Sequence, residues 1–172
     1  MCVRTARPLA LVGSLLLLGT FFEIGFMVNM SASLPRGLYR RVDAPAMRGA
    51  IVIVCLPAGI AALGRSRAYL HRGSCPDESE AVGKRVVAIT GDRVAAGPDG
   101  VYVNGRHLPG SERLSRDSAG RPMASVDRPD LPLQPAELWL MGDDPRSWDS
   151  RYFGPVQVDA VVAVVEPVWT WE

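Results

Sequence analysis

The sequence predicts a mainly β domain that follows one N-terminal apolar segment. Most of the 14 prolines and 17 glycines lie beyond residue 30, and the apolar runs between them are short, as is typical of strands joined by turns. The length of 172 residues fits one compact domain with an appendage and is too short for two large cores. No internal repeat is present, so a repeat architecture is excluded.

Residues 1–30 are predicted to form a cytoplasmic N-terminus and a transmembrane signal anchor. Glu23 is the only charge among the 23 residues that end at Met30. As a helix they would span about 34 Å, enough to cross a hydrocarbon core of about 30 Å. Arg4 and Arg7 place the N-terminus in the cytoplasm.

A cleaved secretory signal is the alternative, because Ser31-Ala32-Ser33 has the small residues of a cleavage site. The apolar run is longer than the roughly 7–15 residues of such a signal's core, which favours an anchor. In both cases residues 31–172 are exported. The expected location is the bacterial inner membrane, with a single span and a periplasmic domain.

At least five strands are predicted beyond the anchor, from apolar and β-branched runs bounded by turn residues. They cover residues 50–55, 84–89, 101–103, 138–141 and 160–165. Asn104-Gly105 is a strong hairpin signal and predicts a returning arm at 106–108. Only residues 60–70, which are alanine-rich and free of proline, predict a helix. A polar stretch at about 109–135 lacks periodicity and predicts a surface excursion.

Charge gives little indication of a partner. The chain contains 18 arginines and one lysine, Lys84, and its net charge is +1. The exported part is neutral, with 17 basic and 17 acidic residues. Nucleic acid is therefore not an expected partner, and recognition must depend on shape and local chemistry.

The cysteines predict one disulfide. Cys2 falls on the cytoplasmic side, which leaves Cys55 and Cys75 to pair in an oxidising compartment. Closing this loop would stabilise the fold by about 3 kcal/mol. No metal or cofactor is expected, because two cysteines at this spacing with His71 and His107 match no ligand pattern.

The residues that could carry chemistry are hydroxyls and one amine. His71 falls in a polar loop and His107 on a hairpin arm with no acidic neighbour in sequence; both are expected on the surface, so a histidine-based triad is poorly supported. Ser31 and Ser33 follow the anchor, and Lys84 begins an apolar strand. A lysine can act as a general base only if burial lowers its pKa from about 10.4 towards neutrality. A strand rich in Val and Ile could provide that burial.

Four sequence blocks, in order, carry a family resemblance. They are residues 31–39 (SASLPRGLY), 49–52 (GAIV), 83–92 (GKRVVAITGD) and 141–154 (MGDDPRSWDSRYFG). The pattern resembles the type I signal peptidase superfamily of Ser/Lys proteases and, within it, the TraF-type peptidases of conjugative transfer. Two departures are visible: Thr90 replaces the proline usual in the lysine box, and Asp144 replaces an asparagine frequent in the last box.

The resemblance implies a signal-peptidase/LexA-like antiparallel β catalytic domain with a Ser/Lys dyad. Ser33 would be the nucleophile and Lys84 its base. The Ser33 backbone N–H and the Ser31 hydroxyl would be the oxyanion donors.

In the family, the residues that match Ser147 and Asp149 lie near the lysine amine, and the one that matches Arg151 pairs with the carboxylate. A buried ion pair that only holds two strands together is an equal alternative for Asp149 and Arg151. Four aromatic residues are expected in the core or at the membrane surface rather than in catalysis: Tyr39, Trp139, Tyr152 and Phe153.

The leading hypothesis is a membrane-anchored serine endopeptidase that cleaves an exported precursor after small residues. Its partners would be the lipid bilayer and a pilin-like or other transfer-system polypeptide, released by hydrolysis or by cyclisation. The alternatives are a general signal peptidase that removes secretory signal peptides, and a non-catalytic structural component of the conjugation apparatus.

Overall fold

The computed structural model describes residues 25–171, so most of the predicted anchor lies outside the described residues. The prediction of a helix that continues to Met30 is wrong at its end, because Phe26–Asn29 form a β-strand. An uninterrupted apolar run has no periodicity that distinguishes a helix from a strand, and here the pairing with the next strand decides. Among the described residues, no helix has the length and apolar character needed to span a membrane.

The described chain is mainly β, as predicted, and its elements run in the following order. The first half contains β1 (Phe26–Asn29), β2 (Arg36–Val42), β3 (Ile51–Val54), α1 (Ala58–Ser66), β4 (Val82–Ala88), β5 (Arg93–Gly97) and β6 (Gly100–Val103). The second half contains β7 (Arg106–His107), β8 (Arg128–Pro132), β9 (Glu137–Met141), α2 (Ser150–Phe153), β10 (Val156–Gln157), a 3-10 turn (Val158–Ala160) and β11 (Val161–Trp171).

Seven strands form the main sheet, in the order β1-β2-β11-β3-β4-β9-β10. All of its pairings are antiparallel. The long strand β11 pairs with β2 on one side and with β3 on the other, which brings the N-terminal hairpin against the centre of the sheet. The sheet therefore carries both the segment after β1 and strand β4, the two regions that the predicted dyad needs.

A smaller sheet of four strands, in the order β7-β6-β5-β8, packs beside the main one. The predicted hairpin is confirmed: β6 pairs with β7, and Asn104 and Gly105 have φ values of 51° and 76°, as a tight hairpin turn requires. Within the stretch predicted as a surface excursion, Arg128–Pro132 form β8 and pair with β5. Edge strand β8 tolerates two prolines, whose presence concealed it in the sequence.

Apolar side chains fill the space under the main sheet and between the two sheets. One cluster lies between α1 and strands β3, β4 and β9, and includes Val52, Val86 and Leu140. A second joins Trp139 of β9 to the small sheet. Tyr39, Trp139 and Tyr152 are buried, and Phe153 packs against the first cluster, so these aromatic residues belong to the core.

The predicted disulfide is present and joins Cys55, just after β3, to Cys75. Cys75 lies in the loop between α1 and β4, where its N–H donates to the carbonyl of Ser79 at 3.0 Å. The Arg65 side chain of α1 also reaches this loop and pairs with Asp77 at 2.7 Å. The cross-link therefore holds the segment that leads into β4 against the main sheet.

Candidate active site

Ser33 lies in the turn between β1 and β2, and the side chain of Asn29 organises this turn. The Asn29 amide donates to the carbonyls of Ser31, Leu34 and Pro35, each at 3.1 Å. The Tyr39 hydroxyl also donates to the Pro35 carbonyl, at 2.6 Å. Asn29 was not among the predicted site residues, although an asparagine just before a Ser-x-Ser turn is a signal of such capping.

Lys84 projects from β4 towards this turn. Burial alternates along β4, and Lys84 shares the buried side with Val86 and Ala88. Its side chain is 3% exposed. Its Nζ lies 2.8 Å from Ser33 Oγ and 2.6 Å from Ser147 Oγ. The structure thus brings together the two residues predicted to form the dyad.

Burial among apolar neighbours lowers the pKa of the Lys84 amine from 10.5 to about 8, because the ammonium form loses its hydration. Asp149 opposes this effect and raises the pKa, whereas Arg151 lowers it further. At pH 7, about a tenth of an amine with this pKa is neutral and able to accept a proton. The amine is therefore suited to act as a base near neutral pH.

Ser147 provides the second hydroxyl of the cluster. Its Oγ lies 3.0 Å from Ser33 Oγ and accepts the Lys84 bond. Gly142 packs directly against Ser147, and a Cβ at this glycine would overlap Ser147 Oγ and Cβ. The next residue, Asp143, donates its N–H to the Ser33 carbonyl at 2.7 Å. The Gly142-Asp143 backbone therefore holds Ser147 and Ser33 at their mutual distance.

Asp149 and Arg151 form a fully buried ion pair beneath this cluster. Two guanidinium N–H groups of Arg151 donate to the two carboxylate oxygens, each at 2.8 Å. The remaining Arg151 N–H groups donate to the carbonyls of Glu112, Pro145 and Ser147 at 2.9–3.1 Å. Asp149 also accepts the Gly142 N–H at 2.9 Å. The pair thus connects the Ser147 backbone and Gly142 to one rigid network.

Arg85 and Asp143, which were not predicted as site residues, form a second ion pair. Arg85 Nε and Nη2 donate to the two carboxylate oxygens at 3.0 and 2.8 Å. Because Arg85 follows Lys84 and Asp143 contacts the Ser33 carbonyl, this pair links both sides of the dyad. The juxtaposition depends on the pairing of β4 with β9, which a single sequence does not reveal.

Ser31 is exposed, and its Oγ donates to Asn29 Oδ1 at 2.8 Å. Its role as an oxyanion donor stays a prediction. His71 and His107 are exposed, as expected, and lie outside the cluster. The carboxylate nearest to the His107 ring among residues 25–171 belongs to Glu112, at 3.9 Å.

Two cavities meet at Ser33. The first, called the β1 groove here, has a volume of about 370 Å³ and runs between β1 and the start of β4, along Met27–Met30 and Glu80–Lys84. The second, called the charged cavity, has a volume of about 620 Å³ and includes Arg116 and Arg146 in its lining. An extended polypeptide could therefore pass over the Ser33 hydroxyl from one cavity into the other.

The chain matches the protein family described as "Signal peptidase, peptidase S26" over residues 3–171. It is 40% identical to the plasmid transfer protein TraF of Escherichia coli, over 98% of this chain and 97% of that protein. It is 33% identical to the conjugal transfer protein TraF of Agrobacterium tumefaciens strain 15955, over 86% of this chain and 84% of that protein. Signal peptidase I of Bacillus caldolyticus is 32% identical over 48% of this chain and 50% of its own length. The chain belongs to the peptidase S26 family of signal peptidases.

Proposed function

We propose that this protein is a serine endopeptidase in which Ser33 is the nucleophile and Lys84 is the general base. The observation that carries this proposal is the 2.8 Å contact between Lys84 Nζ and Ser33 Oγ, made by a buried amine whose pKa is about 8. A structural ammonium would be expected to pair with a carboxylate. The Lys84 amine instead contacts two hydroxyls.

The reaction begins when neutral Lys84 takes the Ser33 proton and Ser33 Oγ attacks the substrate carbonyl. Ser147 Oγ accepts a hydrogen bond from Lys84 Nζ and shares another with Ser33 Oγ, which keeps the amine aimed at Ser33. The Ser33 N–H and the Ser31 hydroxyl are the donors we assign to the developing oxyanion. Lys84 then returns the proton to the leaving amine, and the acyl-enzyme remains on Ser33.

The second step transfers the acyl group to water or to an amine of the substrate. In either case Lys84 accepts the proton of the incoming nucleophile and returns it to Ser33 Oγ. Water yields a linear product, and an amine of the same chain yields a cyclic one. The two products differ in mass by one water molecule, so intact mass spectrometry of the processed substrate distinguishes them.

The substrate we propose is an exported precursor of a conjugative transfer system, such as a pilin or another subunit. The support comes from the relatives named as transfer proteins, which match nearly the full chain, whereas the signal peptidase I relative matches about half of it. A single N-terminal anchor in the inner membrane, with residues 31–172 in the periplasm, would present Ser33 close to the bilayer. A general signal peptidase is the second candidate and would also cleave unrelated secretory precursors.

Replacement of either dyad residue tests the proposal. Ser33→Ala and Lys84→Ala should each abolish precursor processing in membranes, and Lys84→Arg should be equally inactive because a guanidinium does not deprotonate in a protein. Thermal unfolding of each purified variant serves as the control for folding. Persistent cleavage by a folded Lys84→Ala variant would exclude the dyad.

A further inference from the structure

The charged cavity adjoins the β1 groove at Ser33. Three residues line both spaces: Ser33, Tyr69 and Trp148. The rings of Tyr69 and Trp148, which belong to both linings, are 5.2 Å apart. A substrate whose scissile carbonyl contacts Ser33 Oγ can therefore place one flank in the groove and the other in the charged cavity.

The carboxylates of the charged cavity are already engaged. Asp117 accepts from the Tyr69 hydroxyl and from Arg121 Nε, each at 2.7 Å, and these hydrogen bonds lower its pKa. Asp144 accepts the Arg146 N–H at 2.7 Å, which also lowers its pKa. Both carboxylates therefore stay ionised; Arg121 neutralises Asp117, and Asp144 has a longer contact with the Arg146 guanidinium.

The arginines of the charged cavity retain binding capacity. Arg116 Nη1 donates to the Gly120 carbonyl at 2.6 Å, and within residues 25–171 no carboxylate lies at salt-bridge distance from it. Arg146 reaches Asp144 only at 3.4 Å, and its side chain is 80% exposed. The lining of the cavity holds these two arginines and the carboxylates of Asp117 and Asp144. Because Arg121, outside the lining, pairs with Asp117, the Arg116 guanidinium stays available to an acidic group.

We propose that the charged cavity binds acidic residues on the leaving-group side of the substrate, with Arg116 and Arg146 as their partners. This inference rests on the proposed peptidase function. The acyl half of the substrate stays bonded to Ser33 after the first step, whereas the leaving half must dissociate before water or an amine can enter. Exposed, hydrated arginines suit the leaving half, because their ion pairs are weak and exchange readily.

The test uses the full-length protein in detergent micelles and a peptide library. Each peptide carries small residues before the intended scissile bond and random residues after it, and mass spectrometry reads the released fragments. The wild-type protein should enrich Asp and Glu among the first positions after the bond by about two- to fivefold, as expected for exposed ion pairs. The enrichment should decline at high ionic strength.

Charge reversal supplies the decisive comparison. The double variant Arg116→Glu/Arg146→Glu should lose the acidic enrichment and favour Lys and Arg instead, whereas Arg106→Glu, on the exposed edge strand β7, should retain the wild-type preference. Three outcomes would overturn this inference and leave the peptidase proposal intact. The wild type could cleave without acidic enrichment, it could show the enrichment only before the scissile bond, or the double variant could keep the wild-type preference. If the wild type cleaves no peptide while Ser33→Ala still supports precursor processing in membranes, the peptidase proposal is excluded together with the inference.

Discussion

Lys84 is the only lysine in the chain, so its titration can be observed without interference from any other lysine. In protein labelled with nitrogen-15 lysine, NMR should show one side-chain amine that titrates with a pKa of about 8. The value of kcat/KM should rise with pH through the same value, because only the neutral amine accepts the Ser33 proton. A lysine pKa near 10.5, or a rate that does not change between pH 6 and 9, would contradict the assignment of Lys84 as the base.

The same pKa shift has a consequence for stability. The folded-state pKa of Lys84 is lower than its unfolded value, so between about pH 8 and 10.5 the unfolded state binds more protons and the free energy of unfolding rises with pH. A shift of this size corresponds to about 3 kcal/mol over the full interval. Urea unfolding should show this rise in the wild type and not in Lys84→Met, which serves as the control.

Asp149 offers a third prediction at the residue scale. Asp149→Ala would leave the fully buried Arg151 without its carboxylate, which should lower the free energy of unfolding by about 3–5 kcal/mol. Asp149→Asn keeps the shape and removes the charge that raises the Lys84 pKa, so the lysine resonance should titrate below 8. If the Asp149–Arg151 pair were merely structural, Asp149→Asn would reduce stability and leave the Lys84 titration unchanged. Asp149→Leu/Arg151→Met, in which neither charge remains, should recover much of the lost stability.

At the scale of single elements, the Gly142-Asp143 segment after β9 sets the geometry of the dyad. A methyl group at Gly142 would overlap Ser147 and approach the Ser33 carbonyl within 3.2 Å. Gly142→Ala should therefore displace Ser147 and lower kcat by at least about tenfold, with a smaller effect on KM, because misplacement of a reacting group by 1 Å is that damaging. Gly97→Ala is the matched control, since a Cβ at Gly97 meets no atom within 4 Å. Equal activity of the two variants would show that catalysis does not require Gly142 to hold Ser147 in its position.

The elements that were predictable from sequence are those whose local signals agree. The hairpin at Asn104-Gly105 and the β-branched strand β3 are examples, because turn chemistry and side-chain type point to the same structure. Strand β1 was misassigned because its apolar residues continue the predicted anchor, and its identity depends on pairing with β2. Strand β2 carries consecutive arginines, Arg40 and Arg41, that interrupt an apolar pattern. Its place in the sheet is fixed by pairing with β1, whose apolar sequence does not distinguish a strand from a helix, and with β11, which is distant in sequence.

The same distinction applies to the candidate site. The resemblance indicated Ser33, Lys84 and Ser147, and the structure places their polar atoms within 2.6–3.0 Å of one another. The ion pair of Arg85 with Asp143 could not be predicted, because it depends on the pairing of β4 with β9. The two cavities are likewise products of tertiary structure: the charged cavity uses residues from the polar stretch that the sequence showed only as an excursion.

At the scale of the whole molecule, the Cys55–Cys75 disulfide connects the main sheet to the wall of the β1 groove. The loop that it holds continues through Glu80 into Val82 and Gly83, which line the groove beside Lys84. The Glu80 N–H also donates to the His71 carbonyl at 2.9 Å, so backbone bonds support the same wall. Loss of the cross-link should therefore affect stability and substrate binding more than the chemistry at Ser33.

Cys55→Ser/Cys75→Ser should lower the free energy of unfolding by about 3 kcal/mol, measured by urea denaturation. Its KM for a peptide substrate should rise several-fold, with a smaller change in kcat, because the dyad contacts are made by β4 and the β1–β2 turn rather than by the loop. Cys2→Ser leaves this disulfide in place and is the matched control. Treatment of the wild type with a reductant should reproduce the double variant. A different result would be a fall in kcat as large as the fall in kcat/KM, with KM constant. The loop would then support the reacting groups themselves, which would contradict its assignment to the groove wall alone.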